Sequence, residues 1–138
     1  MTSDVFFDTN IVLYALIATP MDPLDRRTEI ADRIISNGGV ISVQVLSEFI
    51  DVVSRKHRKP WQTIGEMLEL IHSLCGPVVP LTVDTHAAAV DIARRYGFRI
   101  YDSLILAAAQ QVGCSTVYTE DMQHGQMVGS VKIVNPFL

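Results

Sequence analysis

Four acidic residues, Asp8, Glu48, Asp102 and Asp121, fall where a carboxylate has chemical work to do. Asp8 directly follows the apolar run Val5-Phe6-Phe7 and opens the triplet Asp8-Thr9-Asn10. Asp121 comes just after a second such run, Thr116-Val117-Tyr118-Thr119. Short apolar runs of this kind read as buried strands, and acids at the carboxyl ends of parallel strands often serve ligands. Glu48 lies in a helical pattern whose buried stripe is Val45, Phe49, Val52 and Val53. At about 100° per residue it falls on the margin of that stripe, whereas Asp51 points into solvent. Acids rarely occupy a core margin unless they are paired or hold a metal. Asp102 heads the segment Asp102-Ser103-Leu104-Ile105-Leu106-Ala107-Ala108-Ala109, in which Ile105, Leu106 and Ala109 share its face.

Taken singly, each acid has a plainer explanation. Asp8 and Asp102 suit a helix N-terminus, Glu48 a salt-bridged or snorkelling side chain, and Asp121 a turn. Taken together, all are expected at one end of the same sheet. Carboxylates crowded there repel by about a few kcal/mol unless they are protonated or bridged by cations. Mg²⁺ or Mn²⁺, which prefer oxygen donors, are the ions such a set would take. An all-carboxylate site holding two such ions suits phosphodiester hydrolysis. Glu120, next to Asp121, is expected to face the other way.

Composition is compatible with that chemistry. The net charge of −4 argues against binding nucleic acid by charge alone. Two divalent cations at the four acids would bring it to about zero. Hydrophobic residues make up 49% of the 138 and charged residues 19%, the balance of one folded domain covering residues 1–138. The longest apolar run, residues 11–18, falls well short of the about 20 residues that a membrane-spanning helix needs. Met1-Thr2-Ser3-Asp4 has no basic region ahead of an apolar stretch, so no secretion signal is expected. Cys75 and Cys114 read as buried free thiols, and His57, His72, His86 and His124 lack the paired spacing of a zinc site.

The elements that must position the acids alternate along the chain. Strands are expected at residues 4–7, 40–41, 78–81, 116–119 and 131–134. Helices are expected at 10–18, 25–36, 43–55 with Ser42 as its cap, 60–75 with Pro60 in its first position, and 84–96 stopped by Gly97. A last helix opens at Tyr101 or Asp102 and ends at Gly113. Thr19-Pro20-Met21-Asp22-Pro23 reads as a loop. The expected fold is α/β, a single-domain three-layer sandwich around a central parallel sheet of about five strands.

Four segments in this context, Phe7-Asp8-Thr9-Asn10, Ser47-Glu48-Phe49, Tyr101 to Ala109 and Tyr118-Thr119-Glu120-Asp121-Met122-Gln123-His124-Gly125, resemble a PIN domain. The similarity is to the small PIN-domain toxins of the VapC type in particular, and it covers essentially the whole chain. It implies an endoribonuclease that holds Mg²⁺ or Mn²⁺ on Asp8, Glu48, Asp102 and Asp121, with Thr9, Asn10 and Thr119 shaping the site by hydrogen bonds. It also implies a cytoplasmic homodimer silenced by a small antitoxin protein, with dimer surfaces on the helices before Pro23 and between Pro60 and Cys75.

Basic and aromatic residues are less specific. Arg94, Arg95 and Arg99 precede Asp102 and either meet RNA phosphates or form a solvated helix face. The run Arg55-Lys56-His57-Arg58-Lys59 reads first as a solvated helix end. Trp61 and Tyr101 are able to stack on bases, but packing is the expectation for both. Met122, Met127 and Phe137 read as core and surface filler. Two other classes stay open on the sequence: a phosphoryl-transfer domain with an Asp nucleophile, and a non-catalytic binding module of the same fold. The first lacks a DxDxT pattern at Asp8, and Lys132 lies inside the last strand where a receiver domain needs its lysine beyond one.

Overall fold

Strand β1 (Val5–Phe7) is central, and its register is set on both sides. On one side it pairs in parallel with β4 (Thr116–Tyr118), which pairs in parallel with β6 (Val131–Val134). On the other side a parallel bridge joins Phe6 to Val40, with Phe7 N donating to Val40 O and Val40 N to Val5 O, both at 2.9 Å. Val40 leads into β2 (Ile41–Ser42), which pairs in parallel with β3 (Val78–Val79). Across the molecule the strands therefore run β3, β2, β1, β4, β6, with β5 (Met127–Val128) added antiparallel at the β6 edge. The computed structural model describes residues 4–17 and 25–138, so the expected loop at 19–23 lies outside the described residues.

Helices cover both faces. From β1 to β2 the chain runs through α1 (Thr9–Leu16) and α2 (Arg27–Ser36), and from β2 to β3 through α3 (Val43–Arg55) and α4 (Trp61–Leu74). It then returns past β1 through α5 (Val83–Tyr96) and α6 (Ile100–Gln111) to reach β4. Crossovers between parallel strands are right-handed, so reversing the direction of travel moves the helices to the opposite face. The packing agrees: α1 meets α2 and α3, α3 meets α4, and α5 pairs with α6. Phe6, Phe7, Val117 and Ile133 are fully buried between the two helical layers, in one continuous hydrophobic core. This is the three-layer α/β sandwich expected.

Local chemistry sets the boundaries. Asp8 caps α1, so that helix starts at Thr9, one residue earlier than the apolar pattern suggests. Ser42 caps α3 and Thr82 caps α5 through their hydroxyls, while Gly97, at φ +78°, ends α5 in the left-handed conformation. Pro60 is the cap of α4 and not its first residue. The strand expected at 78–81 stops at Val79, because Pro80 has no N–H to give a ladder. The helix expected to open at Tyr101 or Asp102 starts at Ile100, capped by Arg99. Strand β5 was not expected from the sequence. It has two residues and joins β6 through Gly129-Ser130, too short for an alternating pattern to register.

Gly39 lies against the buried Phe7 ring, so closely that a Cβ there would drive into Cε2 and Cζ. Gly39→Ala should therefore cost about 1–3 kcal/mol, as overpacking of a filled core does. It should lower the urea midpoint without changing the slope of the transition. An unchanged midpoint would mean that the Phe7 ring can give way.

Candidate active site

The strand order reverses at β1: the chain leaves it toward β2 and comes back to β4 on its other flank. In open α/β sheets this switch point leaves a crevice beyond the carboxyl ends of the two strands. Asp8 is the residue after β1, and Thr119 to Asp121 follow β4. The sheet ladder continues one step into the crevice, with Asp8 N donating to Tyr118 O at 3.0 Å. That bond places the Asp8 side chain beside Thr119.

Asp8 is 5% exposed and both its carboxylate oxygens are engaged. Oδ1 accepts from Thr9 N at 2.7 Å and Oδ2 from Thr119 Oγ1 at 2.8 Å. The plain helix-cap explanation and the site placement thus hold together. Burial pushes the Asp8 pKa up to about 7, against the lowering effect of its Thr119 and Thr9 bonds and with added repulsion from Glu48 and Asp121. Thr119 is wholly buried, and its hydroxyl also accepts from Asp121 N at 3.1 Å and Asn10 Nδ2 at 3.3 Å. Asn10 Nδ2 donates to Asp121 Oδ2 at 3.1 Å, and Asn10 Oδ1 accepts from Glu120 N at 3.3 Å. Asp121 itself is exposed.

Glu48 is half-buried on α3. Its Oε2 accepts from Thr9 Oγ1 at 3.4 Å and its Oε1 from Gln44 Nε2 at 2.6 Å. Gln44 Nε2 also donates to Tyr101 O at 3.1 Å, which ties α3 to the first turn of α6 one residue before Asp102. Asp102 has its carboxylate 22% exposed, with Arg99 Nε 3.8 Å from Oδ2. Burial raises its pKa, Arg99 opposes that, and Asp121 and Glu48 add repulsion. Glu48 and Asp121 thus act on both Asp8 and Asp102, and Thr9, Asn10, Thr119 and Gln44 link the elements that carry the four acids. Gln44 was not singled out from the sequence, although its place four residues before Glu48 on one helix face is the available signal.

The surrounding residues divide. Glu120 turns away from the other acids, accepting from Tyr14 OH at 2.6 Å, with Arg27 NH1 3.9 Å from it. Arg94 and Arg95 both pair with Asp91 on the exposed face of α5, whereas Arg99 pairs with Asp102. Arg55 pairs with Asp51, while Lys56 and His57 line a cavity of about 220 Å³ with Asn10 and Glu120. The packing expected of Trp61 and Tyr101 is not found, since they are 71% and 63% exposed. Trp61 opens α4 ahead of its first buried residue, Ile64. Tyr101 stands one turn before the buried Ile105, and the layer that covers Ile105 does not reach it. Met122 is buried, Met127 is exposed, and Phe137 meets the Tyr14 ring edge-on. Cys75 and Cys114 are both buried.

A family model for the PIN domain matches residues 5–128. The chain belongs to the PIN domain family. No curated protein matches it in sequence. Among solved structures, this PIN domain is similar to a toxin–antitoxin complex from Klebsiella pneumoniae, at 17% identity and a TM-score of 0.70 over 96% of this chain and 98% of that one. It is similar to VapC20 of Mycobacterium tuberculosis, described as a sarcin–ricin loop cleaving toxin, at 17% identity and a TM-score of 0.62 over 82% and 86%. It is also similar to VapBC2 from Rickettsia felis, bound to a DNA fragment from its promoter, at 18% identity and a TM-score of 0.58 over 94% and 96%. At these identities the likeness is one of fold.

Whether the crevice suits a divalent cation is a question of donors and spacing. Among the described residues no three His, Cys, Asp or Glu side chains stand close enough together to hold an ion as placed. Mg²⁺ binds through one or two carboxylates and keeps several waters. Separate carboxylates ringing an open crevice fit that habit, and the repulsion felt at Asp8 and Asp102 is what a cation would relieve. No helix among the described residues is long and apolar enough to cross a membrane.

Proposed function

We propose that this PIN domain, residues 1–138, is an endoribonuclease dependent on Mg²⁺ or Mn²⁺ and the toxin of a type II toxin–antitoxin pair. What supports the nuclease reading best is the hydrogen-bonded group at the switch point, where Thr9, Thr119 and Asn10 join Asp8, Glu48 and Asp121, with Asp102 in the first turn of α6. A divalent ion there would supply charge to the phosphoryl oxygens and an acidified water at neutral pH. The chain's own residues do the rest. Asp8, Glu48, Asp102 and Asp121 would hold the ions, Thr119 and the Thr9 amide keep the Asp8 carboxylate in one orientation, and Gln44 fixes Glu48. Arg99 brings a guanidinium to the rim, where an RNA phosphate arrives. In-line hydrolysis leaves a 5′-phosphate and a 3′-hydroxyl.

An antitoxin partner is supported by the toxin–antitoxin complexes among the similar structures, and a cytoplasmic site of action goes with it. Homodimerisation through α4 is part of this reading, with Trp61 71% exposed at the start of that helix. A phosphoryl-transfer role is disfavoured because Lys132 pairs with Thr116 at the far end of the strands from Asp8. The test is incubation with single-stranded RNA in Mg²⁺, in Mn²⁺ and in EDTA. Cleavage is expected with either ion, giving 5′-phosphorylated products, and none in EDTA. Full cleavage in EDTA would refute metal dependence, and no cleavage under any condition would refute the nuclease reading.

A further inference from the structure

Beside the acids, between the start of α3, Leu81 and the start of α6, lies a cavity of about 450 Å³ lined by Val43, Gln44, Glu48, Leu81, Tyr101 and Leu104. We propose that this cavity seats one unstacked nucleobase of the RNA, on the side of Tyr101, next to the linkage that is cut; the inference rests on the ribonuclease reading above.

Three observations lead there. Tyr101, Leu81 and Val43 are 63%, 51% and 42% exposed, so large apolar side chains left open to water meet around one opening. An aromatic ring at the rim offers the face on which a base stacks. Glu48 belongs both to the cavity wall and to the acid group, so the two spaces are continuous. When a phosphate of an RNA strand lies at the acids, the adjoining nucleotide is one backbone step away, at the cavity mouth.

Gln44 supplies the third observation. It is 8% exposed, and its Nε2 is committed to two acceptors, Glu48 Oε1 and Tyr101 O. Both partners require a donor, so the amide cannot be turned around. Its Oε1 is left buried without a hydrogen-bond partner, the one side-chain atom so placed among the described residues. A buried acceptor left unpaired is costly, and a small shift of Gln44, which lines the cavity, would offer it to a ligand's N–H or amino group. Nucleobase edges carry such donors. A base has to be out of its helix to enter, so the substrate class is single-stranded or looped RNA.

Once the cleaved linkage of a short single-stranded RNA has been mapped, the nucleotide on each side of it is replaced in turn by an abasic ribose. On one side only, loss of the base should lower kcat/KM by roughly 5- to 100-fold, the range of one base–aromatic stack. Tyr101→Ala should remove that discrimination, and Tyr101→Trp should keep it. Tyr101 is exposed, and an unchanged melting curve checks that the variants fold. Equal cleavage of intact and abasic RNA by the unaltered chain, or an equal loss on both substrates in Tyr101→Ala, would overturn the base site while leaving the nuclease reading standing. Failure to cut any RNA would overturn both.

Discussion

Asp8→Asn and Asp102→Asn should each lower RNA cleavage by at least about 10²–10³-fold, the cost of removing one preorganised charge from an active site. Neither substitution should unfold the chain. Asparagine has the shape of aspartate, so at position 8 it can still accept from Thr9 N, and at position 102 it stays in the first turn of α6. The loss should fall on kcat more than on KM, because the missing charge matters most where charge builds up on the phosphoryl oxygens. Circular dichroism and melting curves report the fold, and product formation with Mg²⁺ or Mn²⁺ reports activity. Undiminished metal-dependent cleavage by both variants would remove these carboxylates from the chemistry.

Stability should carry a second signature of the same group. In EDTA the Asp8 carboxyl titrates near 7 in the folded chain, against 3.8 as its ordinary value. The native state therefore binds more protons than the unfolded state between those values, and stability falls as the pH rises through that window. A shift of that size is worth about 4 kcal/mol by pH 7, at 1.36 kcal/mol per pH unit. Asp8→Asn cannot ionise, so its unfolding free energy should lack that fall and exceed that of the parent chain at neutral pH. The gain should be reduced by about 1 kcal/mol, because the amide keeps one acceptor oxygen for Thr9 N and loses the bond from Thr119. Mn²⁺ should restore the parent chain by binding only its native state, and should do less for the variant. Urea titrations from pH 4 to 8, with EDTA or Mn²⁺, read all of this. Matching pH profiles for the two chains would show that Asp8 is not held under strain.

How much of this was visible in the amino-acid sequence depended on how local the determinants are. Apolar runs and helical stripes are local, so β1, β4, β6 and the helices were readable, and caps such as Ser42 and the Gly97 stop marked several of their ends. The acids were readable as strand-end or core-margin residues, for the same reason. The direction in which the chain travels around the sheet was not. The switch point between β1 and β4 depends on pairing between residues 5–7 and 116–118, and no short-range pattern encodes it. Gln44 escaped notice because a glutamine near a helix start is unremarkable until its partners, Glu48 and a carbonyl 57 residues away, are known. Tyr101 was misjudged as packed because helical period says which face a residue occupies and not where the covering layer ends. For β5 the cue was present in Gly129-Ser130 between two valines, and only its brevity hid it.

The single bridge between Phe6 and Val40 is a seam: to one side lie β1, β4, β6 and β5, and to the other β2 and β3. Asp8 and Asp121 extend from the larger piece, while Glu48 rides on α3, which springs from the smaller. Any cation shared between Asp8 and Glu48 therefore acts as a rivet through both halves. Under the proposed function, filling the crevice would therefore also stiffen the join between the two sets of strands.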